Sequence, residues 1–132
     1  MGRFIGYKLA DVGDRSSVER LMGYIGESYG GLTGIIHSAG VIKDNFMIRK
    51  SLAEVEQVLS PKVAGVVNLD EASRHFRLEH FVCFSSGAVL GNAGQSDYAA
   101  GNSFMDAYMH YRAGLVAEGE RHGTSVTFNW PL

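Results

Sequence analysis

The sequence has a single cysteine, and it lacks both a long hydrophobic run and a leader segment. Cys83 alone cannot form an intramolecular disulfide, which argues against a disulfide-stabilised secreted fold. No apolar run approaches the roughly 18 residues that a bilayer-spanning helix needs, and no charged and apolar leader follows Met1. We therefore expect a cytoplasmic protein with no membrane partner.

An excess of charge of either sign is also missing. The chain carries 12 Lys and Arg against 14 Asp and Glu, a formal net charge of −2, so it offers no basic surface for nucleic acid. The composition, 45% hydrophobic and 20% charged, is typical of a globular domain. No Cys, His or carboxylate stands at ligand spacing from His37, so we expect no metal site.

Short apolar runs that suit buried strands are present four times. They lie at residues 3–10, 34–38, 81–84 and 125–130. Segments with helical patterns separate these runs, and no internal repeat is visible. This alternation predicts a parallel sheet with crossover helices.

The helical segments carry recognisable start signals. The N-cap of the first helix is expected at Asp14 or Ser16. A capping box at Ser51–Glu54 predicts a second, short helix that runs through Val58, and Pro61 is placed to start a third. A longer helix then follows a glycine-rich turn and carries Tyr98 in its first turn.

The segment from residue 81 to residue 112 organises the rest. It is predicted to form a buried strand ending at Ser85 and Ser86, a glycine-rich turn and a long helix. Tyr98 and Asn102 stand four residues apart and share one face of that helix, about 6 Å apart along its axis. In open α/β sheets, ligands bind at the rim formed by the carboxyl ends of the strands. The serines and the tyrosine can therefore converge on one small polar group.

Four motifs in this part of the chain carry a family resemblance. FSS, GNAGQ-x-DYA, GN-x-FMDA and the final NWPL resemble the short-chain dehydrogenase/reductases, and specifically the ketoreductase domain of modular polyketide synthases and multienzyme fatty-acid synthases. The resemblance implies an α/β fold, a partial Rossmann-like doubly wound parallel sheet that contains the third to sixth strands of the family with their crossover helices.

The first part of that fold is not recognisable in the sequence. A Gly-rich turn after an initial strand, which would cradle the cofactor phosphates, is lacking, because the glycines at 23, 26, 30, 31 and 34 fall at a helix end before a strand. Residues 1–132 are therefore interpreted as a single partial ketoreductase domain, truncated at both ends. Alone it is expected to be inactive and poorly stable, with the strand at 34–38 at an exposed edge.

The resemblance assigns the catalytic roles. Tyr98 is expected to donate the proton, because a nearby ammonium, from Lys62, would favour its phenolate form. Asn102 would order the pair or a water. In the simple reductases of the family, the residue four positions after the tyrosine is a lysine, and an asparagine comes from the earlier helix. Here the two residue types are exchanged, with Asn102 after Tyr98 and Lys62 on the earlier helix, and this exchange resembles synthase ketoreductases.

In the family, the catalytic serine is usually the second of the pair and lies thirteen positions before the tyrosine, whereas here Ser85 lies thirteen and Ser86 twelve positions before Tyr98. The turn is therefore one residue shorter than in the family. If the missing residue falls inside Gly87–Leu90, Ser86 keeps its place at the strand end, so Ser86 is favoured as the serine that binds the carbonyl, with Ser85 as the alternative.

The resemblance also implies cofactor and substrate positions. The residues expected to bind NADPH are Asp11, His37, Ser38, Ala39, Gly40, Lys62, Tyr98, Asn129 and Pro131. Asp44, with Leu90 in the later turn, resembles the type of ketoreductase that gives a D-configured hydroxyl. A helix-capping role is the simpler interpretation of Asp11, and a turn or cap role that of Asp44.

The predicted function is NADPH-dependent reduction of a β-ketoacyl chain, held by phosphopantetheine on an acyl carrier protein, to the β-hydroxyacyl form. The other expected partner is the rest of the ketoreductase domain and synthase. Two alternatives stay open: a non-catalytic structural or truncated fragment, and a free-standing short-chain reductase.

Overall fold

The computed structural model describes residues 5–131, and helices and strands alternate along them. The elements are α1 (Arg15–Tyr29), β1 (Gly34–His37), α2 (Leu52–Ser73), β2 (His80–Ser86), α3 (Ser96–Ala117) and β3 (Thr124–Trp130). Two short 3-10 turns, Met47–Arg49 and Gly87–Leu90, precede α2 and α3. Among residues 5–131, no helix is both long and apolar enough to cross a membrane.

The strands form one parallel sheet in the order β1-β2-β3. Ile35 pairs with Phe81, and Phe81 pairs with Ser125. Successive strands are therefore neighbours, and α2 and α3 make the two crossovers between them. This arrangement confirms the predicted fold class, and β1 lies at one edge of the sheet as expected.

The hydrophobic core lies between one face of the sheet and the three helices. It contains Val18 and Met22 of α1, Val66 and Leu69 of α2, Met105 and Met109 of α3, and Ile35, Phe81 and Cys83 of the strands. The residues that alternate with these on the strands point to the opposite face. On that face Ile36, Phe128 and Trp130 are 69%, 50% and 53% exposed. Among the described residues, no helix covers it.

Helix α1 has the boundaries that its sequence predicts. Asp14 is the N-cap, and its carboxylate accepts hydrogen bonds from the backbone N–H groups of Ser16 at 3.1 Å and Ser17 at 3.2 Å. Gly30 follows the last turn with φ of 74°, a left-handed conformation that favours glycine. The prediction of Asp14 as one of two possible caps is confirmed.

Helix α2 differs from the prediction. The capping box at Ser51 and Glu54 is present, but the helix does not stop at Val58. It continues through Pro61, so the expected second and third helices are one. Proline removes one intrahelical hydrogen bond, whereas Val58 and Val66, on either side of it, are fully buried along α2. Burial along this continuous face outweighs the lost bond.

The predicted opening strand is the second difference. Residues 5–10 form no strand, and Arg3 and Phe4 lie outside the described residues. Ile5 and Leu9 are almost fully exposed. A strand needs a neighbour for its backbone N–H and C=O groups, and no strand of the described residues lies beside this segment. The apolar pattern alone therefore does not produce a strand here.

A buried polar network fastens the helices to one another. The Asp70 carboxylate of α2 accepts hydrogen bonds from Arg112 Nε at 2.7 Å, Arg121 Nε at 3.1 Å and Tyr108 Oη at 3.0 Å. Burial, with the Asp70 charge second, raises the pKa of Tyr108. Arg112 also donates to Ser125 Oγ on β3 at 2.8 Å. The network ties α2, α3 and β3 into one unit.

Candidate active site

A pocket of about 370 Å³ opens at the carboxyl ends of the strands. Its lining consists of Ser38, Gly40, Ile42, Lys62, Phe84, Ser85, Ser86, Gln95, Tyr98, Trp130 and Pro131. Seven of the residues predicted from the sequence are therefore brought together: Ser38, Gly40, Lys62, Ser85, Ser86, Tyr98 and Pro131. The pocket lies where ligands bind in open α/β sheets.

Lys62 reaches this pocket from α2. Its side chain is almost completely buried, and its Nζ lies 5.0 Å from the centroid of the Tyr98 ring. Burial lowers the pKa of Lys62, and the nearby Cys83 and Asp106 oppose that change only in part. The structure therefore places the Lys62 amino group beside the Tyr98 ring, and its catalytic role stays a prediction.

Glycine makes room for this lysine. A Cβ at Gly101 of α3 would lie 3.2 Å from Lys62 Cβ and 3.3 Å from Lys62 Cδ. A Cβ at Gly40 would lie 3.4 Å from Lys62 Cε. The Lys62 side chain thus passes between two backbone segments that a larger residue would push away.

Asn102 lies behind Tyr98 on α3 and is fully buried. Its Nδ2 donates to the Tyr98 carbonyl oxygen at 2.8 Å. Its Oδ1 is buried, and within residues 5–131 no protein group donates a hydrogen bond to it. Buried amide oxygens are normally satisfied, so this atom is free to accept from a water; ordering a water is one of the two roles predicted for Asn102, and it stays a prediction.

The two serines at the end of β2 are bonded differently. Ser85 Oγ donates to the Asn102 carbonyl oxygen at 3.4 Å and accepts from Asn129 Nδ2 at 3.2 Å. Ser86 Oγ accepts from the Ala88 N–H at 3.1 Å and so caps the Gly87–Leu90 turn. No acceptor within the described residues takes the Ser86 hydroxyl proton, which leaves it available to the pocket.

The predicted cofactor residues are only partly at the pocket. His37 is buried beneath it, with Nε2 2.9 Å from the Pro61 carbonyl oxygen, and burial lowers the pKa of His37. Asn129 does not line the pocket but donates to Ser85 and to Asp106 Oδ2, the latter at 2.8 Å. Ala39 follows Ser38 in the chain, and it does not line the pocket.

Asp11 lies outside the pocket and is exposed. Its Oδ1 accepts from the Gly13 N–H at 2.9 Å, and its own N–H donates to Ser17 Oγ at 3.0 Å. Asp11 thus shapes the turn before α1, but the N-cap of α1 is Asp14, so Asp11 is not the helix-capping aspartate.

The predicted stereochemical residues are also separated from the pocket. Asp44 Oδ2 accepts from Gln95 Nε2 at 2.9 Å, and Gln95 Oε1 accepts from Asn92 Nδ2 at 2.9 Å. Gln95 lines the pocket, so Asp44 reaches it indirectly. Leu90 is 92% exposed.

Two features of the site were not predicted. Gln95 belongs to the GNAGQ motif, but nothing in the sequence indicates its bond to Asp44 across 51 positions. Lys50 and Asp97 form an ion pair in which each side chain is 1% exposed. Nothing in the sequence around Lys50 or Asp97 indicates that these charged side chains are buried. The sequence shows only that Asp97 directly precedes Tyr98.

Comparisons with protein-family models and with known sequences agree with each other. The family model described as KR domain matches residues 1–132. Polyketide synthase PksL of Bacillus subtilis is 48% identical over 127 residues, which are 96% of this chain and 3% of that protein. Polyketide synthase ThaG of Burkholderia thailandensis is 45% identical over 129 residues, 97% of this chain and 2% of that protein. The chain thus spans a very small part of these relatives.

Solved structures are similar to the chain as well. A ketoreductase domain from the bacillaene assembly line has a TM-score of 0.94 and 52% identity, over 96% of this chain and 30% of that one. An N-terminal ketoreductase from the macrolactin assembly line has a TM-score of 0.89 and 44% identity, over 96% of this chain and 25% of that one.

Proposed function

The chain belongs to the KR domain family of polyketide synthases, and from this membership we propose that it serves the reduction of a β-ketoacyl chain to the β-hydroxyacyl form. The acyl chain would be held by phosphopantetheine on an acyl carrier protein, and NADPH would be the reductant. The proposal rests most on one observation: Lys62, Tyr98 and Ser86 meet at a single pocket on the carboxyl rim of the sheet.

Each residue at the pocket has a chemical task in this reaction. The Ser86 hydroxyl donates a hydrogen bond to the substrate carbonyl oxygen and holds it in place. The Tyr98 hydroxyl gives its proton to the same oxygen as the carbonyl is reduced. The Lys62 ammonium, 5.0 Å from the Tyr98 ring centroid, favours the phenolate that remains. When bound, the nicotinamide supplies the hydride.

The pocket fits the nicotinamide end of such a cofactor. Ser38 and Gly40, which line it, are small and let a flat ring approach the backbone. Ser38, Gly40, Lys62, Tyr98 and Pro131, which line the pocket, would hold the ribose and ring. Ala39, His37 and Asn129 would support them, and Asp11 would lie at the adenine end. The choice of NADPH over NADH follows the family only.

Asp44 supports a proposal about the product. It lies on the segment that Gln95 fastens to the turn before Tyr98, so it can influence how a substrate enters. We infer a D-configured hydroxyl from its presence. Leu90, in the Gly87–Leu90 turn, is an exposed apolar side chain that we include in the same proposal.

We also propose that residues 1–132 are part of a larger ketoreductase domain. The chain covers 30% of the solved bacillaene ketoreductase chain. Parallel sheets are normally covered on both faces, and one face of this sheet carries exposed aromatic side chains. The complete domain would supply the missing cover and the phosphate cradle, and the 132-residue chain alone would not reduce the substrate.

The test compares NADPH binding and turnover in the 132-residue chain and in the complete domain. We expect only the complete domain to bind NADPH, followed by its fluorescence, and to reduce a β-ketoacyl thioester. Tyr98→Phe should abolish turnover and leave NADPH bound. The matched control is Tyr111→Phe, which changes a tyrosine of the same helix that is 58% exposed, and it should leave turnover unchanged.

Other outcomes would favour the alternatives. A complete domain that binds no NADPH would contradict the catalytic proposal and support a structural role. Turnover of small free ketones but not of thioesters, especially thioesters on a carrier protein, would favour a free-standing type of reductase.

A further inference from the structure

The Lys50–Asp97 ion pair is a buried charged pair that the proposed reaction does not use, and it lies next to Tyr98. Each side chain is 1% exposed, and neither lines the pocket. Lys50 lies between the Met47–Arg49 turn and Ser51, the N-cap of α2. Asp97 is the second residue of α3. The pair therefore joins the beginnings of the two helices that carry Lys62 and Tyr98.

Asp97 connects this pair to the backbone of Tyr98. Its Oδ2 binds Lys50 Nζ, and its Oδ1 accepts from the Tyr98 N–H at 2.9 Å. That N–H is one of the helix-terminal donors that lack an intrahelical partner. An acidic residue is favourable at this end of a helix. The carboxylate thus links Lys50 directly to the first turn that presents Tyr98.

Two further hydrogen bonds fix the same pair of segments. The Asn45 N–H donates to the Gly94 carbonyl oxygen at 2.9 Å, and Gln95 Nε2 donates to Asp44 Oδ2 at 2.9 Å. Residues 44–50 are thereby held against residues 94–97 at three points. The ion pair is the point next to Tyr98.

Stability alone does not account for the charges of this pair. Two apolar side chains of similar volume are often as stabilising as a buried ion pair, because desolvation offsets the attraction. An ion pair instead fixes position, since both groups must meet. We propose that Lys50 and Asp97 are positioning residues, which hold the first turn of α3 so that the Tyr98 hydroxyl faces the pocket beside Lys62. The inference rests on the proposed function of that pocket.

The test uses the complete domain, the unit in which a relative was solved. The variants are Asp97→Asn, Lys50→Met and the double variant Lys50→Met/Asp97→Leu. The control is Arg15→Gln, which breaks an ion pair with Glu19 that is 76% and 52% exposed. The measurements are kcat and KM for NADPH, the melting temperature, and the ¹⁹F NMR spectrum with 3-fluorotyrosine. Tyr98→Phe identifies the Tyr98 signal.

We expect both single variants to lower the melting temperature and to lower kcat roughly 10- to 100-fold, the cost of a misplaced catalytic group, with KM for NADPH unchanged. The double variant should regain part of the melting temperature, because no unpaired charge stays buried although the Tyr98 N–H still lacks its acceptor, while kcat stays low and the Tyr98 signal stays shifted. Arg15→Gln should change none of these.

A double variant that regains both stability and kcat would overturn the inference, because the pair would then be only structural. An unmoved Tyr98 signal in all three variants would overturn it as well. If the unmodified domain does not reduce the thioester, the proposed function fails, and the NMR signal still decides whether the pair positions Tyr98.

Discussion

The two serines at the end of β2 differ in what their hydroxyl groups can still bind. Ser85 is engaged by Asn102 and Asn129 inside the protein, whereas the Ser86 proton is available to the pocket. We expect Ser86→Ala to lower kcat roughly 100-fold, the usual loss when one donor to a reacting oxygen is removed. Ser85→Ala should reduce kcat less and lower the melting temperature. Steady-state kinetics of the complete domain measure both.

Ser85→Ala is also the matched control, since it removes the same hydroxyl one residue earlier. If Ser85→Ala has the larger kcat effect and Ser86→Ala is nearly neutral, the order proposed for the two serines is wrong, and the shortened turn has moved the catalytic position to Ser85.

At the residue scale, the sequence predicted the residues that line the pocket better than the ion pair that lies behind them. Lys62, Tyr98 and the serines were predicted because their motifs and spacing resemble a known family, and all of them line one pocket. Their chemical roles stay predictions. The Lys50–Asp97 pair was missed because 47 positions separate its members, and single-sequence patterns do not report which distant charges meet.

At the scale of elements, the contact between α2 and α3 depends on a glycine. Gly101→Ala would add a Cβ 3.2 Å from Lys62 Cβ, which is too close for the present path of the lysine. We expect Lys62 to shift and kcat to fall roughly tenfold, because a displaced catalytic group loses rate steeply. Kinetics and thermal melting of the complete domain test this together.

The same helix provides a control for helix propensity. Gly114 is exposed in α3, and a Cβ there would contact nothing within 4 Å. Gly114→Ala should stabilise the domain by up to about 1 kcal/mol and leave kcat unchanged. Equal kinetic effects from the two substitutions would show that Gly101 has no special role in placing Lys62.

Element boundaries were predictable where local chemistry decides them. Asp14 and Ser51 cap their helices as their side chains suggest, because capping is a contact within a few residues. The break expected at Pro61 was wrong, since the burial of α2 on both sides of the proline is a tertiary effect. The strand expected at residues 3–10 was wrong over its described part, residues 5–10, for a related reason: strand formation depends on a neighbouring strand, which an apolar pattern cannot reveal.

At the scale of the whole molecule, the uncovered face of the sheet governs behaviour. Ile36, Phe128 and Trp130 are each at least half exposed, and Phe84 stacks edge-on with the latter two. A contiguous apolar surface of this kind favours association. We expect the 132-residue chain alone to associate in a concentration-dependent way and to bind a hydrophobic dye, as measured by light scattering after size exclusion and by dye fluorescence.

Substitutions on that face test whether its aromatic side chains cause the association. Phe128→Ser should shift the 132-residue chain toward monomer and reduce dye binding, because it removes an exposed ring from the centre of the aromatic cluster. Tyr111→Ser, which removes an aromatic ring of similar exposure on α3, should leave association unchanged. In the complete domain, where we propose that this face is covered, Phe128→Ser should instead lower the melting temperature, because burial of the ring would be lost. A 132-residue chain that is monomeric at all concentrations and melts cooperatively would contradict both the association and the proposed need for cover.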